Sequence, residues 1–218
     1  MWTYRGVNVH WLGHDSFVLS GTKTVVIDPF KAQGNFKADL LLVSHEHFDH
    51  LSVDDLKKVV TPATTVITIT TCEKAVKDLK PKAVRVVLAG DRLTVDGVSL
   101  EVLPAYNTNK FRSPGNPFHP KADGKVGFIL EIGGVRIYHA GDTDEIPEMT
   151  SAKGVDVALL PVSGTYVMTA QEAVKACTAI QPKLAIPMHY GAIVGSPADA
   201  EVFRKAVKCR VEILAAEP

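Results

Sequence analysis

His45-Glu46-His47-Phe48-Asp49-His50 packs five metal-binding side chains into six residues, directly after the apolar run Leu40-Leu41-Leu42-Val43. An unbroken apolar run of this length reads as a buried strand, and Ser44 then opens a turn. In extended chain His45 and His47 project to the same side, so both imidazoles can reach one cation. Ser52-Val53-Asp54-Asp55-Leu56 signals the start of a helix, and the turn towards it presents Asp49 and His50 to a second cation. Imidazole and carboxylate are the donors a borderline divalent ion prefers, and a solvated polar turn has no need to group them so densely.

The rest of the chain fits a compact enzyme. Its 218 residues are 46% hydrophobic, enough to bury a full core as one domain spanning 1–218. Lys and Arg number 24, as do Asp and Glu, so the formal net charge is zero. That balance argues against long-range attraction to nucleic acid or to an anionic membrane. Cys72, Cys177 and Cys209 are odd in number, far apart and in no paired metal spacing, which suggests ordinary thiols in a reducing, cytoplasmic setting. Met1 to Gly6 carries no apolar leader core, and no segment approaches the roughly 18 apolar residues of a membrane span.

Short apolar runs at Val7–Trp11, Phe17–Leu19 and Val25–Ile27, parted by Gly13 and Ser20-Gly21-Thr22-Lys23, predict an antiparallel meander. Helices are expected over 53–60, 73–79, 169–180 and 197–207. Further strands are expected over 65–69, 84–88, 98–103, 128–130, 135–138, 157–160, 184–186 and 211–214. Phe128-Ile129-Leu130, a Gly turn and Val135 to Tyr138 repeat the pattern of Phe17 to Ile27, displaced by 111 residues, about half the chain. Two similar halves packed sheet on sheet would explain that repeat. More ligand candidates stand at strand tips: Asp142 in His139-Ala140-Gly141-Asp142, and His189 in Pro187-Met188-His189-Tyr190-Gly191.

HEHFDH with Asp142 and His189 downstream resembles the metallo-β-lactamase fold superfamily of binuclear hydrolases, whose fold is an αββα sandwich with the metals at one edge. Trp11-Leu12-Gly13-His14-Asp15-Ser16-Phe17, Asp28-Pro29-Phe30, YHAGDTD, LLPVSGTY and IPMHYG are similar to the UPF0173/UlaG-like group of metal-dependent hydrolases. The resemblance implies that His45 and His47 bind a first metal, that Asp49, His50 and His189 bind a second, and that Asp142 bridges them. It puts Asp28 behind His45, fixing that ring's tautomer. Many members carry a third histidine for the first metal after the strand that here ends in Leu103-Pro104-Ala105-Tyr106-Asn107, where none stands. His119 is the nearest candidate, with Asn107 or water as the alternative. His139 is either a support behind the metals or an ordinary strand-end residue. His14 either lines the pocket or is structural, and His10 is expected on a strand surface.

Two cations about 3.5–4 Å apart can share a water, lower its pKa towards neutrality and polarise the substrate oxygen. The implied chemistry is attack on a carbonyl or phosphoryl centre of an ester, lactone or phosphodiester, with Asp142 or Asp49 positioning the nucleophile. Tyr166 is either a donor to the developing oxyanion or a packed aromatic. A donor set of N and O favours Zn2+ while accommodating Mn2+ or Fe2+. Between Asn107 and Lys125 stand Lys110, Arg112, Lys121 and Lys125 against Asp123, so Lys110 and Arg112 are expected to grip a small anionic substrate such as a phosphorylated sugar lactone or a cyclic phosphodiester. A nucleic-acid processing phosphodiesterase on the same fold, and a non-catalytic metal sensor, are the competing readings, and a homo-oligomer is compatible with any of them.

Overall fold

The structure, a computed structural model, describes residues 1–217. A first seven-stranded sheet runs in chain order through β1 (Trp2–Tyr4), β2 (Val7–Gly13), β3 (Ser16–Ser20), β4 (Thr24–Ile27), β5 (Leu40–Leu42), β6 (Thr65–Thr68) and β7 (Ala83–Val86). The chain continues through β8 (Arg92–Val95), β9 (Val98–Pro104), the hairpin β10 (Phe111–Ser113) and β11 (Asn116–Pro117), β12 (Val126–Ile132), β13 (Val135–His139), β14 (Val157–Pro161), β15 (Leu184–Met188) and β16 (Arg210–Val211). The second seven-stranded sheet has the order β8-β9-β12-β13-β14-β15-β16, with β10 and β11 outside it.

Both sheets are built alike. Four antiparallel strands lead into three parallel ones, β1 to β4 then β5 to β7, and β8, β9, β12 and β13 then β14 to β16. The parallel strands β5, β14 and β15 are buried at every position, as continuous apolar runs must be when both faces are covered. Helices α1 (Val53–Val59) and α2 (Glu73–Lys77) follow strands of the first sheet, while α3 (Ala170–Ile180) and α4 (Pro197–Ala206) lie against β14 and β15. Buried apolar residues of both sheets form one contiguous cluster, the middle of an αββα sandwich.

The repeat seen in the sequence is real at the level of strand order but not of pairing. Phe17 pairs with Ile27, whereas Phe128 pairs with His139, one residue further on. The cause is the turn. Ser20 pairs with Thr24 across three residues, while Ile132 pairs with Val135 across Gly133-Gly134, both at positive φ, a two-residue hairpin that only residues tolerant of that region can form. Strands β1 and β8 were not legible in the sequence, and the expected strand 211–214 shortens to Arg210–Val211, paired only with Leu184 and Ala185. Helix α3 begins where a Thr169 and Glu172 capping box satisfies its first N–H groups. Cys177 and Cys209, distant in sequence, come together with sulfurs 3.2 Å apart, and all three cysteines are free thiols. No helix of the described residues is long and apolar enough to cross a membrane.

Candidate metal centre

Strand tips of both sheets converge on Asp142. It follows β13 through Ala140-Gly141, where Gly141 has φ +65° and a Cβ would lie 2.7 Å from the Val126 carbonyl oxygen, so only glycine permits the turn. The two oxygens of Asp142 face different groups. Oδ2 lies 3.3 Å from His119 Nε2 and 3.8 Å from His45 Nε2. Oδ1 lies 3.4 Å from His50 Nε2 and 3.5 Å from His189 Nε2. His45, His47, His119 and Asp142 can each offer a ligand atom within 4.8 Å of all the others, and so can Asp15, Asp142 and His189, and His14, Asp15 and His50.

His45, His50, His119 and His189 are held from behind. His119 Nδ1 lies 3.0 Å from Asn107 Oδ1 and 3.2 Å from the Tyr166 carbonyl; both are acceptors, so Nδ1 carries a proton and Nε2 is the atom turned towards Asp142. Asn107 therefore stands behind His119, accepting its backbone N–H at 2.8 Å and donating to the Tyr166 carbonyl at 2.8 Å. His189 Nδ1 meets Ser163 Oγ at 2.9 Å. Asp28 differs from expectation, because its Oδ2 accepts from His50 Nδ1 at 2.8 Å and it reaches His45 only through Ser44 Oγ, 3.0 Å from His45 Nδ1. The turn after β5 swings His50 back over the strand end, while His45 points away towards His47. His139 donates from Nε2 to the Asp15 carbonyl at 2.8 Å and accepts the Gly141 N–H at 3.3 Å, so it clamps the β2–β3 turn to the loop before Asp142 and turns no free atom to the cluster.

Two residues change standing. Asp49 was expected beside His50, yet its Oδ2 takes His14 Nε2 at 3.0 Å and it shares in none of the three close groups. Asp15, to which the sequence reading gave no role, is fully buried with neither carboxylate oxygen hydrogen-bonded, 3.6 Å from His50 and 3.8 Å from His189. No spacing advertises it; its only signal is an acid in a tight turn between apolar strands. His50 Nε2 and Asp142 Oδ1 are likewise buried without a hydrogen-bond partner, a pattern that suits a cation's donors. Charge follows the geometry. Burial opposes ionisation of Asp142, but His50 and His189 outweigh it and hold the acid well below the usual carboxylate range. Burial likewise opposes charge on His189, and Asp142 and Asp15 overcome it, raising the pKa to about 9. His45, facing other imidazoles, is lowered by burial and by His50. Left-handed backbone at four non-glycine residues, His14, Asp28, Tyr166 and His189, is concentrated around this centre.

A cleft of about 290 Å3 opens onto the cluster, with His14, His47, Asp49, His119, Asp142 and His189 in its wall. Tyr166 and Arg112 line it too. Lys110 does not: its Nζ binds Glu172 Oε2 at 2.8 Å and Asp144 Oδ1 at 3.2 Å. Lys121 pairs with Glu148 at 2.6 Å, and the buried Lys125 with Glu46 and Asp123. The loop that reads as basic in sequence is thus largely neutralised by acids from elsewhere. His10, on β2, meets Glu217 at 2.8 Å.

The sandwich and its strand-tip cluster define a class that the comparisons name. Residues 8–189 match the Beta-lactamase superfamily domain. The chain belongs to that superfamily and is one of its metal-dependent hydrolases. Within it the chain groups with the UPF0173 metal-dependent hydrolases: it is 35% identical over 206 residues to one from Methanoculleus marisnigri, covering 91% of this chain and 87% of the relative. A second, from Archaeoglobus fulgidus, is 34% identical, covering 97% and 96%. A crystal structure of a candidate metal-dependent hydrolase from Parabacteroides distasonis superposes with TM-score 0.80 at 31% identity, over 96% of this chain and 94% of that one. Igni18, a metallo hydrolase of Ignicoccus hospitalis, shares the fold at TM-score 0.78 and 22% identity, over 97% and 96%.

Proposed function

We propose that the protein is a binuclear hydrolase of a small anionic ester, lactone or phosphodiester. The observation that carries this is the split of Asp142: one oxygen faces His45 and His119, the other His50 and His189. A first divalent ion would be held by His45, His47, His119 and Asp142, and a second by His50, His189, Asp142 and Asp15. Such ions would supply an activated water and polarise the scissile group, and Zn2+ suits the N and O donors best. Asp49, oriented by His14, stands at the cleft wall where it can take a proton from the attacking water and return one to the leaving group. Tyr166 and Arg112 line the cleft, which supports the Tyr166 hydroxyl as the donor to a developing oxyanion and Arg112 as the partner of the substrate's anionic group. A cleft with a single Arg or Lys in its wall favours a small molecule over a nucleic-acid strand.

Metal analysis of the purified chain, followed by turnover of an ester, lactone and phosphodiester panel, tests the reading. Two ions per chain and metal-dependent turnover of at least one class are expected. One tightly held ion with no turnover would make the protein a metal-binding chain of another kind.

A further inference from the structure

Three of the segments that bring a metal-binding side chain to the cleft also bring an apolar one. Phe48 stands between His47 and Asp49, Phe118 precedes His119, and Ile193 and Val194 follow His189 on one loop, all in the cleft wall. Phe48 is 68% exposed, Ile193 40% and Tyr166 39%, even though Phe48 packs edge-on against Phe30 and Tyr166 against Phe118. Tyr166 keeps its place at φ +67°, a left-handed conformation costly for a bulky residue, with its ring 4.6 Å from that of Phe118 and its carbonyl behind His119. Exposed apolar side chains gathered at a polar centre mark a surface made for a ligand. Arg112 is the only lysine or arginine in that wall. Its guanidinium lies 5.3 Å over the Phe118 ring, which braces it, and among the described residues it has no carboxylate partner. Its N–H edges are therefore free for a planar anion.

Resting on the binuclear hydrolase reading, we propose that the substrate is amphiphilic: a hydrolysable ester or lactone carrying an aromatic or alkyl group and a single carboxylate, with the apolar group against Phe48, Ile193 and Tyr166 and the carboxylate on Arg112. A phosphorylated sugar fits this wall poorly. Its hydroxyls would be stripped of water against apolar side chains, and its dianion would meet one guanidinium where the other three basic residues of the loop are already paired.

Titration calorimetry on the zinc-loaded full chain, with probes that cannot be hydrolysed, separates this from the catalytic reading. 4-Phenylbutyrate is expected to bind about 10-fold or more tighter than either butyrate or 4-phenylbutanol. Phe48→Ala should erase the phenyl advantage and keep the carboxylate one, and Arg112→Gln the reverse. Both positions are exposed, so unchanged melting temperatures certify the folds. Tightest binding by 6-phosphogluconate, or a probe order that neither variant alters, overturns the proposal. Absence of turnover on the ester panel with this binding order intact would remove the catalytic reading and leave the amphiphilic wall standing.

Discussion

The two halves of this molecule share a strand order and divide the site unequally. In the first, the tip of β5 delivers His45, His47, Asp49 and His50 within six residues. Its counterpart in the second sheet, β14, ends in Val162-Ser163-Gly164-Thr165-Tyr166, with no ligand candidate but with Ser163 behind His189. The second half instead contributes single residues from three places: His119 on the loop after β11, Asp142 after β13 and His189 after β15. One half concentrates donors and the other closes the cluster around them: both close groups that contain Asp142 draw on both halves, while His14, Asp15 and His50 come together within the first alone. That dependence is what the following substitutions break or sharpen.

Asp142→Ala should have the largest effect. It removes the carboxylate that faces both groups, and affinity for both ions is expected to fall by about 100-fold or more, beyond the range seen for supporting residues. Chelator competition with metal analysis measures it. Retention of one ion at undiminished affinity would mean that the first half holds a cation by itself.

Asp28 and His139 close β4 and β13, the corresponding strands of the two sheets, and offer a finer comparison. Asp28→Ala removes the acceptor that fixes His50 and should weaken ion binding about 10- to 100-fold. His139→Ala should cost less than about 10-fold in affinity, because the ring acts through the Asp15 and Gly141 backbone, and should appear mainly as a lower melting temperature, about 2–4 °C for each kcal/mol lost. The opposite order, measured by the same competition and by thermal melts, would place the organising role in the second half.

What was legible in the sequence follows the same division. The HEHFDH run announced itself because its residues are contiguous, and Asp142 and His189 because each ends an apolar strand beside a glycine. The sandwich was legible because the strand pattern of Phe17 to Ile27 returns at Phe128 to Tyr138 and because the motifs resemble the metallo-β-lactamase fold. Asp15 was not, because its role depends on the β2–β3 turn meeting strand tips more than a hundred residues away. The pairing of Asp28 with His50 in place of His45 depends on how the chain turns after Ser44, which spacing cannot fix. Lys110 misled because a count of charges along a loop ignores acids brought from other elements: Asp144 lies after β13 and Glu172 in α3.

That correction supplies the smallest prediction. Glu172 accepts from Lys110, from the Thr169 backbone N–H at 2.7 Å and from Asn109, tying the loop before β10 to the first turn of α3. Burial alone would raise its pKa; those donors, Lys110 first, outweigh it and depress the pKa to about 2. A depressed carboxylate stabilises the fold above its unfolded pKa of about 4.3, and that contribution is lost as pH falls from there towards about 2. Glu172→Gln keeps a capping-box side chain but drops the charge, so at pH 7 its melting temperature should lie about 2–4 °C below the parent's, a modest pair worth about 1 kcal/mol. The gap should hold down to about pH 4.3 and then narrow with acid. Lys110→Ala should show the same gap at pH 7 and leave KM for anionic substrates unchanged. A raised KM without a stability change would return Lys110 to the cleft and weaken the case that the second half closes the site through paired, structural charges.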